Sequence, residues 1–171
     1  MPRFVAFLRG VSPANARMPA LKSAFEAAGF GNVRTVLGSG NVVFDAATAD
    51  EHRLQREAEA AMSAALGRSF TTIVRAVPHL AVLLADDPYT RHGIPPHAKR
   101  VVSFLRGPTA PRVALPLAQD HASVFLCAGR EVFTAYVPTD KGPVFMQLIE
   151  RAFGTDVTTR TLDTVAKCAV A

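Results

Sequence analysis

Near the C-terminal end of the chain, Thr158-Thr159-Arg160-Thr161-Leu162-Asp163-Thr164-Val165-Ala166-Lys167 crowds four threonines, two cations and a carboxylate into ten residues. The span sits where a strand-like run meets the start of a helix. That junction suits an anion: first-turn N–H groups point outward, the helix dipole favours negative charge, and hydroxyls and the Arg160 guanidinium add donors. Capping explains part of it. Thr161 is an acceptable N-cap, Thr164 stands where a capping box would place Glu or Gln, and Asp163 belongs in a first turn by its charge. The polar density exceeds what a cap needs, so Thr159, Arg160, Thr161, Asp163 and Thr164 are the first candidate ligand-binding set.

The second set is Arg9-Gly10 with Ser39-Gly40-Asn41. Glycine-rich backbone there can present N–H groups, and Arg9 a forked donor, to an anion. The alternative use is structural: glycine serves a hairpin, Ser39 and Asn41 are ordinary turn formers, and Arg9 can pair with a carboxylate.

Other chemistries find no support in the spacing. Of the histidines His52, His79, His92, His97 and His121, only His92 and His97 are close, and Gly93, Pro95 and Pro96 between them preclude a helix that would put both on one face, so no metal site is expected. Gly38-Ser39-Gly40 lacks the five-residue pattern of a nucleophile elbow, and no Gly-Lys-Ser or Gly-Lys-Thr marks a phosphate loop. No cofactor and no catalytic residue is therefore assigned.

The elements that would position these residues follow from periodicity. Arg3 to Leu8 reads as a buried strand, Met18 to Ala28 as a helix with Leu21, Phe25 and Ala28 on one face and Gly29 as its stop. Val33–Leu37 and Asn41–Phe44 read as strands joined through Gly38-Ser39-Gly40, Asp50–Leu66 as the longest helix, and Phe70–Val74 as a strand. The first half is thus βαββαβ. The second half repeats it: Val5-Ala6-Phe7-Leu8-Arg9-Gly10 recurs as Val102-Ser103-Phe104-Leu105-Arg106-Gly107, and Leu37-x-x-Gly40-x-x-Val43-Phe44 as Leu126-x-x-Gly129-x-x-Val132-Phe133. Phe145–Phe153 supplies the second long helix and Val157–Arg160 the last strand, while Arg112–Leu117 would be a degenerate first helix interrupted by Pro116.

The expected architecture is α+β: two tandem βαββαβ units, 1–77 and 99–161, with antiparallel sheets packed as one body. A connector, 78–98, has a short helix over His79–Ala85 and a Pro-rich loop, and a helical tail covers 162–171. Helices on one face of each sheet leave the other to be covered, most simply by the other copy.

The 171 residues suffice for a core without disulfides. Cys127 and Cys168 follow no CxxC spacing and read as reduced, the N-terminus lacks a signal-peptide pattern, and no run approaches membrane-spanning length. A soluble, cytoplasmic protein is expected. Net charge is +5, spread along the chain without a basic run; it permits a nucleic-acid partner without demanding one. The eleven phenylalanines, against two tyrosines and no tryptophan, lie in aliphatic runs and read as core instead of base-stacking platforms.

On Phe7-Leu8-Arg9-Gly10-Val11, Ser39-Gly40-Asn41-Val42-Val43-Phe44, Gly129-Arg130-Glu131-Val132, Thr158-Thr159-Arg160-Thr161 and Asp163-Thr164-Val165, the chain resembles the domain of unknown function 1697 family of bacterial proteins over nearly its full length. The resemblance implies a pair of ferredoxin-like units and brings no established activity, substrate or catalytic residue. It also marks two departures: Pro13-Ala14-Asn15-Ala16-Arg17 stands where many relatives have a glycine pair with a basic residue, and Leu162 where most have tryptophan.

The leading expectation is a protein binding a small anionic or nucleotide-like ligand through polar residues at one end of the sheets. A nucleic-acid-binding module is the alternative, and an enzyme of unidentified reaction a third.

Overall fold

The structure, a computed structural model, describes residues 1–171. The chain divides into two compact units, Met1–Leu83 with Val165–Ala171, and Leu84–Thr164. No helix is long and apolar enough to cross a membrane.

The first unit runs β1 (Arg3–Leu8), α1 (Met18–Ala27), β2 (Gly31–Thr35), β3 (Asn41–Asp45), α2 (Glu51–Leu66), β4 (Thr72–Ala76) and into α3 (Val77–Asp86). This is the βαββαβ order that periodicity predicts. Its strands form an antiparallel sheet in the order β2-β3-β1-β4. Gly29, at φ 90°, follows the end of α1, and α2 is bounded by Asp50, whose carboxylate accepts from Arg53 N–H at 3.0 Å, and by Gly67 at φ 71°. Strand alternation sends Phe4, Ala6 and Leu8 to the helical face, where they meet Leu21 and Phe25 of α1 and Leu54, Ala58 and Met62 of α2. Phe44 anchors this core, with ring centroids 5.6 Å from Phe25 and 4.5 Å from Phe30.

One buried polar residue on α2 departs from the apolar stripe. Gln55 accepts from Val74 N–H at 3.0 Å, one helical turn from Glu51, which accepts from Ala76 N–H at 2.8 Å, and one turn from Glu59, which accepts from Thr72 N–H at 3.1 Å. Three side chains at i, i+4 and i+8 thus satisfy alternate amides of the edge strand β4, which would otherwise offer a row of open donors.

The second unit contains α4 (Pro88–Arg91), β5 (Lys99–Leu105), β6 (Leu117–Gln119), β7 (Ala122–Ala128), β8 (Glu131–Tyr136), α5 (Val144–Phe153) and β9 (Val157–Thr161), which leads directly into α6 (Leu162–Ala169). The sheet order is β6-β7-β8-β5-β9, all antiparallel. Its last four strands repeat the arrangement of the first unit.

Three features differ from the sequence reading. The degenerate helix expected over Arg112–Leu117 is absent: Pro108, Pro111 and Pro116 remove amide donors from the segment, which runs as a loop braced by Arg112 N–H on the Ala152 carbonyl at 2.8 Å and ends in β6. The hairpin from β6 to β7 turns through Asp120 and His121, both at positive φ.

The second feature is register. The Leu-x-x-Gly-x-x-Val-Phe recurrence is real in sequence, yet its copies are not equivalent in space. Leu8 N–H donates to the Gly40 carbonyl, whereas Leu105 N–H donates to that of Arg130, one residue past Gly129. Phe4 pairs with Phe44, but its counterpart Val101 pairs with Thr134. A one-residue slip reverses the faces. Phe133 consequently turns away from the helical face and meets the Tyr89 ring edge-on at 5.8 Å, while Thr134 takes the place of Phe44.

Third, the connector and tail helices are part of the repeat. Val5 pairs with Arg75 and Val102 with Arg160, so β4 into α3 corresponds to β9 into α6. The cores also differ: α2 lies along β4, whereas α5 packs over β6, β7 and β8. Leu148, Ile149 and Ala152 of α5 bury against Val124 and Val132.

A candidate anion-binding cavity at the end of the second sheet

The antiparallel pairing brings three strand ends together where β5 begins. Lys99 lies opposite Tyr136, and Val101 opposite Thr161, so strand alternation sets Lys99, Tyr136 and Thr161 on one face. These residues, with Pro96, His97, Ala98, Arg100, Leu162 and Asp163, line a cavity of about 430 Å³, within the range of small-molecule sites.

Each wall has a different character. Lys99, His97 and Asp163 are exposed, and Lys99 forms no ion pair with Asp163. The Tyr136 ring is held flat against Phe145, with centroids 4.1 Å apart and planes 7° from parallel, which fixes an aromatic surface at the cavity edge. The Arg100 charge is committed elsewhere: its guanidinium lies 3.5 Å from Asp87 and over the Tyr89 ring at 5.4 Å. Asp87 is itself held below the usual carboxylate range, first by the Thr90 hydroxyl and amide and then by Arg100.

The N-terminus of α6 closes the remaining side. Thr161 is the cap: its hydroxyl accepts from Thr164 N–H at 3.2 Å and shares a 2.9 Å hydrogen bond with the Thr164 hydroxyl. The capping interaction expected from sequence is therefore present, and Thr164 serves the cap. The other first-turn amides lack partners within the helix by its geometry.

The other predicted residues are distributed as follows. The Thr159 hydroxyl bonds Ser103 at 2.7 Å within the sheet, and Arg160 alternates to the opposite face, where its guanidinium donates to the Thr159 carbonyl at 2.9 Å. Neither lines the cavity. Arg9, Gly10, Ser39, Gly40 and Asn41 belong to the first unit, at the end where β1 leaves the sheet; the cavity lies where β5 enters its own, so the two sets occupy opposite ends of equivalent repeats.

In the first set the hairpin is internally braced. Asn41 is fully buried and donates to the Val36 carbonyl at 2.9 Å and the Ser39 hydroxyl at 3.1 Å. Gly40, at φ 87°, leaves no room for a side chain, since a Cβ would stand 2.8 Å from Val11 Cβ. Asn15 ties Gly10 into the following loop through its carbonyl at 2.8 Å.

Lys99, His97 and Tyr136 escape a reading of the sequence because their relation to Thr161 exists only through strand pairing across β8, β5 and β9. The sole local signal is that Lys99 opens a strand directly after a Pro-rich loop.

The fold defines an α+β protein of two related antiparallel-sheet repeats. The chain belongs to the family described as "Protein of unknown function (DUF1697)", whose sequence model matches residues 1–133. That span holds Arg9 through Asn41 and Lys99, and ends before Tyr136 and the Thr161–Thr164 cap. Among solved structures, the conserved bacterial protein SP0830 from Streptococcus pneumoniae is similar in fold, with a TM-score of 0.72 at 15% identity, covering 99% of this chain and 97% of that one. No curated protein matches the sequence.

Proposed function

We propose that the protein binds a small anionic ligand in the cavity at the start of β5. The observation that carries this reading is the convergence of Lys99 with the capped N-terminus of α6 on one concave site, where an exposed cation and outward first-turn amides favour negative charge. Thr161 and Asp163 of the sequence-derived set line it, Thr164 supports it through the cap, and Leu162 forms part of its wall. Arg9 and Ser39–Asn41 are read here as hairpin structure. The two free thiols are in keeping with a reducing, cytoplasmic setting.

The nucleic-acid reading draws less support. Ten Lys and Arg against six Asp and Glu give the first unit +4, whereas nine against eight give the cavity-bearing unit +1. Phe4, Phe7, Phe44, Phe104 and Phe133 of the central strands are all buried, which weighs against a stacking surface on them.

The test is calorimetric titration and thermal shift with inorganic phosphate, sugar phosphates and organic acids, on the intact chain and on Lys99→Ala. A ligand that raises Tm through the native state alone and is lost in Lys99→Ala supports the assignment. Equal binding by both proteins refutes it.

A further inference from the structure

The cavity is not simply cationic. Asp163 lines it together with Lys99, both are exposed, and no ion pair joins them. A site for a bare anion gains nothing from an unneutralised carboxylate facing it, because like charge repels the ligand. A carboxylate that accepts only hydrogen bonds is instead useful to a ligand that presents donors at a distance from its negative group. On the third side stands the Tyr136 ring, braced flat by Phe145, which suits a planar aromatic group. Its volume of about 430 Å³ exceeds what an inorganic anion would fill.

Building on the anion-binding reading, the geometry points to a ribonucleoside monophosphate as the ligand: phosphate at Lys99, base against Tyr136, and ribose hydroxyls donating to Asp163. Asp163 is then the specificity-determining residue. Hydroxyl donors to a carboxylate form charge-assisted bonds, stronger than those between neutral partners.

The experiment is titration of wild type, Asp163→Asn, Tyr136→Leu and Lys99→Ala with adenosine 5′-monophosphate, its 2′,3′-dideoxy analogue and inorganic phosphate. Melting curves verify that each variant is folded. In wild type, adenosine monophosphate is expected to bind roughly tenfold tighter than the dideoxy analogue, the discrimination one charge-assisted hydrogen bond supplies. Asp163→Asn, whose neutral amide can still accept a hydroxyl, lowers that ratio several-fold while strengthening inorganic phosphate, Tyr136→Leu weakens both nucleotides and spares phosphate, and Lys99→Ala weakens all three. If all three probes bind alike, are lost together in Lys99→Ala and are indifferent to Asp163→Asn, the anion site stands and the nucleotide assignment falls. If Lys99→Ala changes nothing, or no probe binds, both fall.

Discussion

Replacing Gln55 by leucine tests whether the α2 side-chain ladder holds the edge of the first sheet. Gln55 is 3% exposed, and its carbonyl oxygen accepts the Val74 amide at 3.0 Å. Leucine is of similar size, so the packing change is small; the Val74 N–H is left in a buried position with no acceptor. Stranding such a donor costs about 1–3 kcal/mol. For a chain of this length that lowers Tm by about 2–12 °C. Urea denaturation should show the midpoint falling at unchanged slope, which distinguishes lost stability from an altered unfolded state. Hydrogen exchange adds a local readout, because the Val74 amide should lose protection while those of β3 fall only by the global change. Glu51→Ala and Glu59→Ala act on the flanking amides of Ala76 and Thr72 through hydrogen bonds that are only part-buried, and should cost less. A Gln55→Leu protein with wild-type midpoint and an unchanged Val74 exchange rate would refute the claim that these side chains seal the edge.

Three further substitutions probe the hairpin and the second unit. Gly40→Ala should destabilise more than Gly10→Ala in thermal melts: both sit at positive φ, which costs of order 1 kcal/mol, but only at Gly40 does the added Cβ meet Val11 and Leu8, at 2.8 and 3.1 Å. Asn41→Ala should cost about 1–3 kcal/mol by removing the two hydrogen bonds that a buried side chain gives to the turn, read from denaturant midpoints. Tyr89, whose hydroxyl donates to the Val101 carbonyl, has its pKa raised by burial. The folded protein then holds that proton more tightly than the unfolded chain, so its contribution is complete below the ordinary tyrosine range and declines as pH rises through and beyond it. Tyr89→Phe should flatten that alkaline decline in denaturation series between about pH 10 and 12.

Local signals made most of the elements legible. Asp50 and Gly67 bound α2 because capping and left-handed termination are properties of single residues and their immediate neighbours. The short apolar run up to Leu8, ended by Arg9-Gly10, marks β1 for the same reason. What escaped depended on partners far away in sequence. Gln55 reads as a polar interruption until β4 is placed beside it. The recurrence ending in Phe44 and Phe133 suggested like positions, yet a shift of one residue in pairing leaves the sequence motif intact while reversing the faces. The candidate site was half legible: Thr161, Asp163 and Thr164 stood out as a polar cap, whereas Lys99 and Tyr136 join them only through the register of β8, β5 and β9.

Both repeats are hollow at the end where their first strand enters, but with different linings: in the first unit a cavity of about 480 Å³ lies among Phe30, Ala46, Thr48, Arg53, Leu54 and Glu57, whereas in the second the lining comes from the strand ends themselves. In the first unit, the polar side chains around β1 and β4 at this end bond to the chain itself: Arg3 pairs with Asp45 at 2.7 Å and donates to the carbonyls of Asn32 and Ala171, and Glu51 of α2 reaches the Ala76 amide. The counterparts in the second unit are Arg100 for Arg3, Thr134 for Phe44 and Thr161 for Ala76. Arg100 turns to Asp87, and the helix before β9 brings no carboxylate to Thr161, because α5 has moved over β6, β7 and β8. That move follows from the loss of the first helix to a proline-rich loop, which frees the face α5 then covers. In the second repeat no ion pair joins Lys99 and Asp163, Thr161 serves the cap of α6, and all three line the cavity where β5 begins.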